Sequence, residues 1–102
     1  MMSAHYKTRK YRIELINNKI GLGSIIRTVF WDRHHRDGPE IHQISSTGII
    51  TIYNALTGKL ITQLIARPAQ LERYYVNTNE SCPQYLIELA IKHEHMNYNH
   101  YK

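Results

Sequence analysis

Residues 49–53 (IITIY) and 60–66 (LITQLIA) are two short segments rich in β-branched residues, and the pentapeptide NALTG separates them. Branched side chains favour extended backbone because they fit the pleated surface of a sheet. The linking segment closes on Gly58, which can adopt the positive φ that a tight turn between strands requires. This pattern predicts a β-hairpin, and it constrains the chain towards an antiparallel sheet.

Two further segments are predicted to be strands on similar grounds. Apolar residues alternate with charged residues in 9–16 (RKYRIELI), which is the period of a strand with one buried face. Residues 25–31 (IIRTVFW) follow a glycine-containing turn and are rich in branched and aromatic side chains. Residues 41–46 either extend the third strand or form a short strand of their own.

The helical signals lie in the last third of the chain. Pro68 suits the first turn of a helix, where no amide proton is needed, so residues 69–75 are predicted to be a short helix. Residues 81–84 (SCPQ) have the Ser-x-x-Gln form of a capping box, which predicts a second helix that fades near Met96. One stripe of that helix carries Leu86, Leu89, Ala90 and His93.

These elements predict an α+β fold: a small antiparallel sheet of about four strands, followed by two C-terminal helices packed on one face. A chain of 102 residues has room for one modest core, so residues 1–102 are expected to form a single domain. Within it, residues 1–8 are expected to be an N-terminal arm and residues 97–102 a frayed tail.

The composition favours an anionic partner. Thirteen Lys and Arg against eight Asp and Glu give a formal net charge of +5, which suits nucleic acid or an acidic protein surface. The single cysteine, Cys82, excludes an internal disulfide and a multi-cysteine metal site, and it favours a reducing cytoplasm. The first residues lack the apolar core of a secretory signal, and no apolar run is long enough to span a bilayer. We therefore expect a cytoplasmic protein without a membrane partner.

The segment WDRHHRDGPEIH, residues 31–42, concentrates the chemically versatile side chains of the chain. A metal site is the first interpretation considered. His34 and His35 are adjacent, however, so an extended backbone points them to opposite sides, and no motif with metal-ligand spacing is present. The sequence therefore predicts neither a metal site nor a cofactor.

Acid–base catalysis is a second interpretation. A metal-independent ribonuclease needs a base, an acid and a cation for the charge that develops on the phosphate. The candidates are His34, His35, His42 and Glu40 of this segment, together with Arg73, which Tyr74 and Tyr75 accompany on the first predicted helix. A small basic domain with these ingredients resembles the compact ribonuclease toxins of bacteria. Those proteins often place helices before the main sheet, whereas the helices predicted here come last, and no motif carries specific residues over.

Nucleic-acid binding without catalysis is the preferred interpretation. Arg33 and Arg36 would contact a phosphate backbone from the 31–42 segment, and cations interleaved with tyrosines precede it in the first predicted strand. Phosphate and shape recognition is expected because no recognition helix with a basic face is apparent. The predicted phosphate contacts are Lys7, Arg9, Lys10, Arg12, Arg27, Arg33 and Arg36.

A third class of function is inhibition of a protein or nucleoprotein machine, as small proteins of phages and mobile elements often perform. A basic surface would then compete for an acidic groove. The eight tyrosines of the chain suit interfaces because each combines a large apolar ring with a hydroxyl group. Tyrosines on the surface would also suit the interface of a homodimer.

Overall fold

A computed structural model describes residues 4–32, 38–76 and 78–100, and the side chains of 10–32, 38–76 and 78–95. An antiparallel sheet of four strands and three α-helices confirm the predicted α+β class. The elements, in chain order, are α1 (Ala4–Leu15), which continues as a π-helical segment (Ile16–Ile20), β1 (Ile25–Trp31), β2 (Glu40–Ser45), β3 (Ile49–Asn54), β4 (Leu60–Ile65), α2 (Pro68–Arg73) and α3 (Gln84–His100).

The sheet has the order β1-β2-β3-β4, so each strand pairs with its neighbour in sequence. The predicted hairpin is confirmed as β3 and β4. Its turn is held by the side chain of Asn54, whose Oδ1 accepts hydrogen bonds from the amides of Leu56 and Thr57 at 2.8 and 3.0 Å. Gly58 has a φ of +74°, the conformation for which glycine was expected at this position.

The register of the strands assigns their side chains to two faces. His42 lies opposite Val29 on β1 and Ile52 on β3, and Ile44 lies opposite Arg27 and Ile50. Helices α2 and α3 cover this first face and form the main core with it, as the two C-terminal helices were predicted to do. The buried residues of that core are Ile44, Ile50, Ile52, Ala66, Leu71, Tyr74, Leu86 and Ala90.

The second face of the sheet is covered at one end. Ser45, Ile49 and Thr51 point to this face and are buried. Helix α1 contacts β4, and the residues at its junction with the π-helical segment, Leu15 and Ile16, are 4 and 1 % exposed. We infer that α1 closes this end of the second face.

The prediction of a strand over residues 9–16 was wrong, because this segment belongs to α1. A strand would bury Ile13 together with Leu15, yet Ile13 is 41 % exposed while the adjacent Leu15 and Ile16 are both buried. Adjacent buried residues followed by exposed ones fit a helix that rests on a sheet through a narrow stripe. The fourth strand is instead β2. It contains most of the segment 41–46, which was predicted either to extend the third strand or to form a strand of its own.

The two C-terminal helices are confirmed with different bounds: α2 ends at Arg73, and α3 begins at Gln84, after the predicted capping box, and continues past Met96 to His100. Leu86, Ala90 and His93 are buried, at the spacing of four and three residues expected for one stripe. The ring of His93 packs on the turn between β2 and β3, where its Nε2 donates to the carbonyl oxygen of Thr47 at 3.1 Å.

Replacing Leu86 with alanine tests the packing of α3 on the sheet. Leu86 is fully buried, so Leu86→Ala should lower the free energy of unfolding by about 2–5 kcal/mol, measured by denaturant titration. Ile91→Ala is the control on the same helix, because Ile91 is 47 % exposed and should cost less than about 1 kcal/mol. Equal losses in the two variants would contradict the assigned orientation of α3.

Candidate functional site

The 31–42 segment is not a single loop. Trp31 ends β1, while Glu40 and His42 belong to β2. Four of the residues on which the functional predictions depended, Arg33, His34, His35 and Arg36, lie outside the described residues. Their proposed roles therefore stay predictions, and the structure shows only the two strand ends that carry them.

His42 is the centre of a chain of hydrogen bonds beneath the helices. Its Nδ1 lies 2.6 Å from the hydroxyl oxygen of Tyr74, and its Nε2 lies 2.9 Å from Oε1 of Glu40. A carboxylate can only accept, so Nε2 carries the proton and donates to Glu40. In the neutral imidazole Nδ1 is then the acceptor, and the Tyr74 hydroxyl donates to it. This polarity gives both ring nitrogens of His42 a partner of the right kind.

Aromatic rings enclose this chain. The indole of Trp31 stacks on the imidazole of His42 with ring centroids 5.2 Å apart, and it lies 5.1 Å from the ring of Tyr74. Glu40, His42 and Tyr74 are 9, 5 and 8 % exposed. A general acid or base must reach the atom that it protonates or deprotonates. The buried chain is therefore better suited to joining β2 to α2 than to contacting a substrate.

The protonation chemistry of Tyr74 agrees with a structural role. Burial is the largest cause that raises the pKa of the Tyr74 hydroxyl, the nearby carboxylate of Glu40 adds to it and Arg73 opposes both, and the resulting pKa is about 12. A hydroxyl that holds its proton this firmly is a hydrogen-bond donor at neutral pH. Arg73, a candidate cation for catalysis, is an exposed residue in the last turn of α2.

Arg27 was predicted to contact phosphate, but the structure gives its guanidinium three partners within the chain. Its Nε donates to the carbonyl oxygen of Tyr74 at 3.0 Å, and its Nη1 lies 3.3 Å from a carboxylate oxygen of Glu80. The guanidinium also lies over the ring of Tyr75, 4.2 Å from its centroid. Arg27 thus fastens the edge strand β1 to the connection between α2 and α3.

The single cysteine lies beside this contact and is half-buried. Burial raises the pKa of the Cys82 thiol, and the carboxylate of Glu72 raises it further, whereas Arg27 lowers it. The thiolate is the nucleophilic form of cysteine, so a raised pKa makes this thiol less reactive. Cys82 therefore packs against the core as a thiol of lowered reactivity.

The positive charge of the chain is concentrated in its first twenty residues. These contain five Lys and Arg and one Glu, a net charge of +4, whereas the remaining residues contain eight cations against seven carboxylates. The predicted contacts Lys7, Arg9, Lys10 and Arg12 all belong to α1 and not to a strand. Lys10 is exposed and Arg12 is half-buried, and the side chains of the other two lie outside those described.

Comparisons with protein-family models, curated proteins and solved structures found no match to this chain. No helix in the described part is both long and apolar enough to cross a membrane. Within the same residues, no group of three His, Cys, Asp or Glu side chains is placed to hold a metal ion.

The sequence analysis identified Glu40, His42 and Tyr74 as candidates, and the structure brings them together. The burial of Glu40 and His42 was not expected because the sequence does not reveal which face of β2 is covered. Polar and apolar residues alternate from Glu40 to His42, which indicates a strand. Because Ile41 is apolar, the pattern predicts that Ile41 faces the core and that Glu40 and His42 are exposed. Trp31 packs on these hydrogen-bonded residues, but the sequence did not identify it as part of the site. Its position directly before the charged residues was the one feature that could have indicated this.

Removing the Tyr74 hydroxyl tests the buried chain. Tyr74→Phe keeps the ring but leaves Nδ1 of His42 without its donor, so the free energy of unfolding should fall by about 1–3 kcal/mol. The matched control is Tyr85→Phe, since Tyr85 is 48 % exposed on α3, and it should change stability by less than about 0.5 kcal/mol. Indistinguishable losses would show that the hydrogen bond does not stabilise the fold.

The pKa of Tyr74 predicts a loss of stability in alkaline solution. The tyrosine of the unfolded chain releases its proton near pH 10, whereas folded Tyr74 holds it to about pH 12. Unfolding therefore releases a proton between these values, and stability falls as the pH rises through them. The stability advantage of the wild type over Tyr74→Phe should be constant below pH 10 and shrink towards pH 12. A difference that is constant up to pH 12 in denaturant titrations would contradict the assignment.

Proposed function

We propose that this protein binds nucleic acid through phosphate contacts made by α1. The observation that carries the proposal is the segregation of charge, because almost the whole positive excess of the chain lies in this helix and the π-helical segment after it. A polyanion gains from such a local concentration of cations, since each phosphate contact releases condensed counterions. The cations elsewhere in the chain are nearly balanced by carboxylates.

The second contact in this proposal is the segment between β1 and β2. Arg33 and Arg36 would bind phosphates there, and the histidines beside them would add hydrogen bonds or stacking. Arg27 is left out of the phosphate-binding set, because a phosphate would have to displace its contacts with Glu80 and Tyr75. The binding surface would therefore be composed of Lys7, Arg9, Lys10, Arg12, Arg33 and Arg36, in a cytoplasmic protein.

A ribonuclease is the second candidate, and one observation favours it. Helix α1 precedes the sheet, so the order of elements is closer to that of the compact ribonuclease toxins than the sequence suggested. The burial of Glu40 and His42 limits this candidate, since it leaves His34 and His35 as the histidines for acid–base catalysis. An inhibitor of a protein or nucleoprotein machine would use the same basic helix against an acidic surface.

Neutralising two lysines of α1 tests the proposal. Lys7→Gln/Lys10→Gln should weaken binding to labelled single-stranded RNA and duplex DNA at every salt concentration. If both lysines contact phosphates, the slope of log affinity against log salt should decrease by about 1.4 for single strands and about 1.8 for duplex. Gel shifts of wild type and variant over a salt series measure both quantities.

The matched control is Lys59→Gln/Lys92→Gln, which removes the same charge from two exposed positions outside α1. It should leave the slope unchanged. Equal effects of the two variants would show that net charge and not α1 drives binding, and binding insensitive to salt would refute phosphate recognition. RNA that is cleaved by the wild type but intact with His34→Ala/His35→Ala would instead establish the ribonuclease.

A further inference from the structure

The second face of the sheet is open at the end opposite the buried Ile49. The register aligns Phe30 of β1 with Ile41 of β2, and Ile41 with Tyr53 of β3, so these three side chains form one row across the sheet. Phe30 is 63 % exposed, while Ile41 and Tyr53 are half-buried. Two aromatic rings therefore flank an isoleucine on an accessible surface next to the 31–42 segment.

A second row of neutral polar residues lies beside the first. Thr28, Gln43, Thr51 and Gln63 are opposite one another in successive strands. Gln63 forms a hydrogen bond within the row, since its Nε2 donates to Oγ1 of Thr51 at 3.3 Å. Thr28 is exposed and Gln43 is half-buried, whereas Thr51 is buried towards the end that α1 closes. Neither row contains a charged residue.

The open surface lies on the face of the sheet that α1, the most basic element of the chain, closes at its other end. A strand of nucleic acid whose phosphates contact α1 would therefore extend over the two rows. Aromatic rings flanked by cations are typical of surfaces on which unpaired bases stack.

We propose that the rows containing Phe30 and Gln43 bind unpaired bases of a single-stranded nucleic acid. The rings of Phe30 and Tyr53 stack on two bases, and the amide of Gln43 hydrogen-bonds to a base edge between them. The two aromatic residues are two strand spacings apart, roughly 9–10 Å. Bases stacked in a duplex rise about 3.4 Å apart, so only a strand with separated bases fits both rings.

This inference rests on the proposed function, since the phosphates of the same strand would contact α1. It adds the ligand class, single-stranded in preference to duplex, and it assigns that preference to two uncharged residues. The effects of the aromatic residues and of the lysines can therefore be measured separately, because replacing an uncharged ring does not change the number of phosphates contacted.

Alanine variants of the two aromatic residues test the inference. Phe30→Ala and Tyr53→Ala should each weaken binding of a labelled single-stranded RNA by about five- to 140-fold, with the salt slope of the wild type retained. Phe30→Trp should bind at least as tightly as the wild type, because it preserves a stacking surface. The aromatic control is Tyr85→Ala on α3, which is 48 % exposed on the helical layer and should bind as the wild type does.

The outcomes distinguish the inference from the proposed function. If the wild type binds and Lys7→Gln/Lys10→Gln weakens it, but Phe30→Ala and Tyr53→Ala bind normally, the base-stacking surface is overturned and phosphate binding by α1 stands. Equal weakening by Tyr85→Ala, or duplex bound as tightly as single strands, would also overturn the inference. If the wild type binds neither single strands nor duplex, both proposals fail. Circular dichroism and thermal midpoints establish that each variant is folded.

Discussion

The hydrogen bond between His42 and Tyr74 joins the two layers of this protein, and the rest of the structure depends on it. A histidine in the middle of a sheet that helices cover must find partners for both ring nitrogens, because an unpaired buried polar atom is costly. Glu40 supplies one partner from the same strand, and only the helical layer can supply the other. The position of α2 over β2 is therefore specified by polar groups as well as by apolar packing.

The two faces of the sheet differ in what covers them and in the residues that they carry. On the covered face, the chain through His42 and the guanidinium of Arg27 secure the helices to β2 and β1. Ionisable side chains that resemble those of a functional site thereby stabilise the fold. On the other face, α1 closes one end and leaves an aromatic and polar surface at the other. Glu40 and His42, which belong to the segment that looks most like an active site in the sequence, are buried, and the accessible part of the other face carries uncharged residues.

Most of the fold could be predicted from local patterns, since the β3–β4 hairpin, β1, α2 and α3 each carry a signal within a short segment. The segment 9–16 could not, because its apolar residues satisfy both the period of a strand and that of a helix, and only packing on the sheet decides between them. The site was harder to predict for a related reason. The row of Phe30 and Tyr53 exists only through the strand register, and the burial of His42 depends on which face the helices cover.

The order of the sheet has a consequence for how the protein folds. Every strand pairs with the strand next to it in sequence, so the sheet is built from local contacts, which shorten the loops that must close during folding. The contacts of Arg27 with Tyr74 and Glu80, by contrast, span 47 and 53 residues. A chain emerging from the ribosome can therefore assemble its hairpins in order, and it closes the helical layer over them only after the last third has been made.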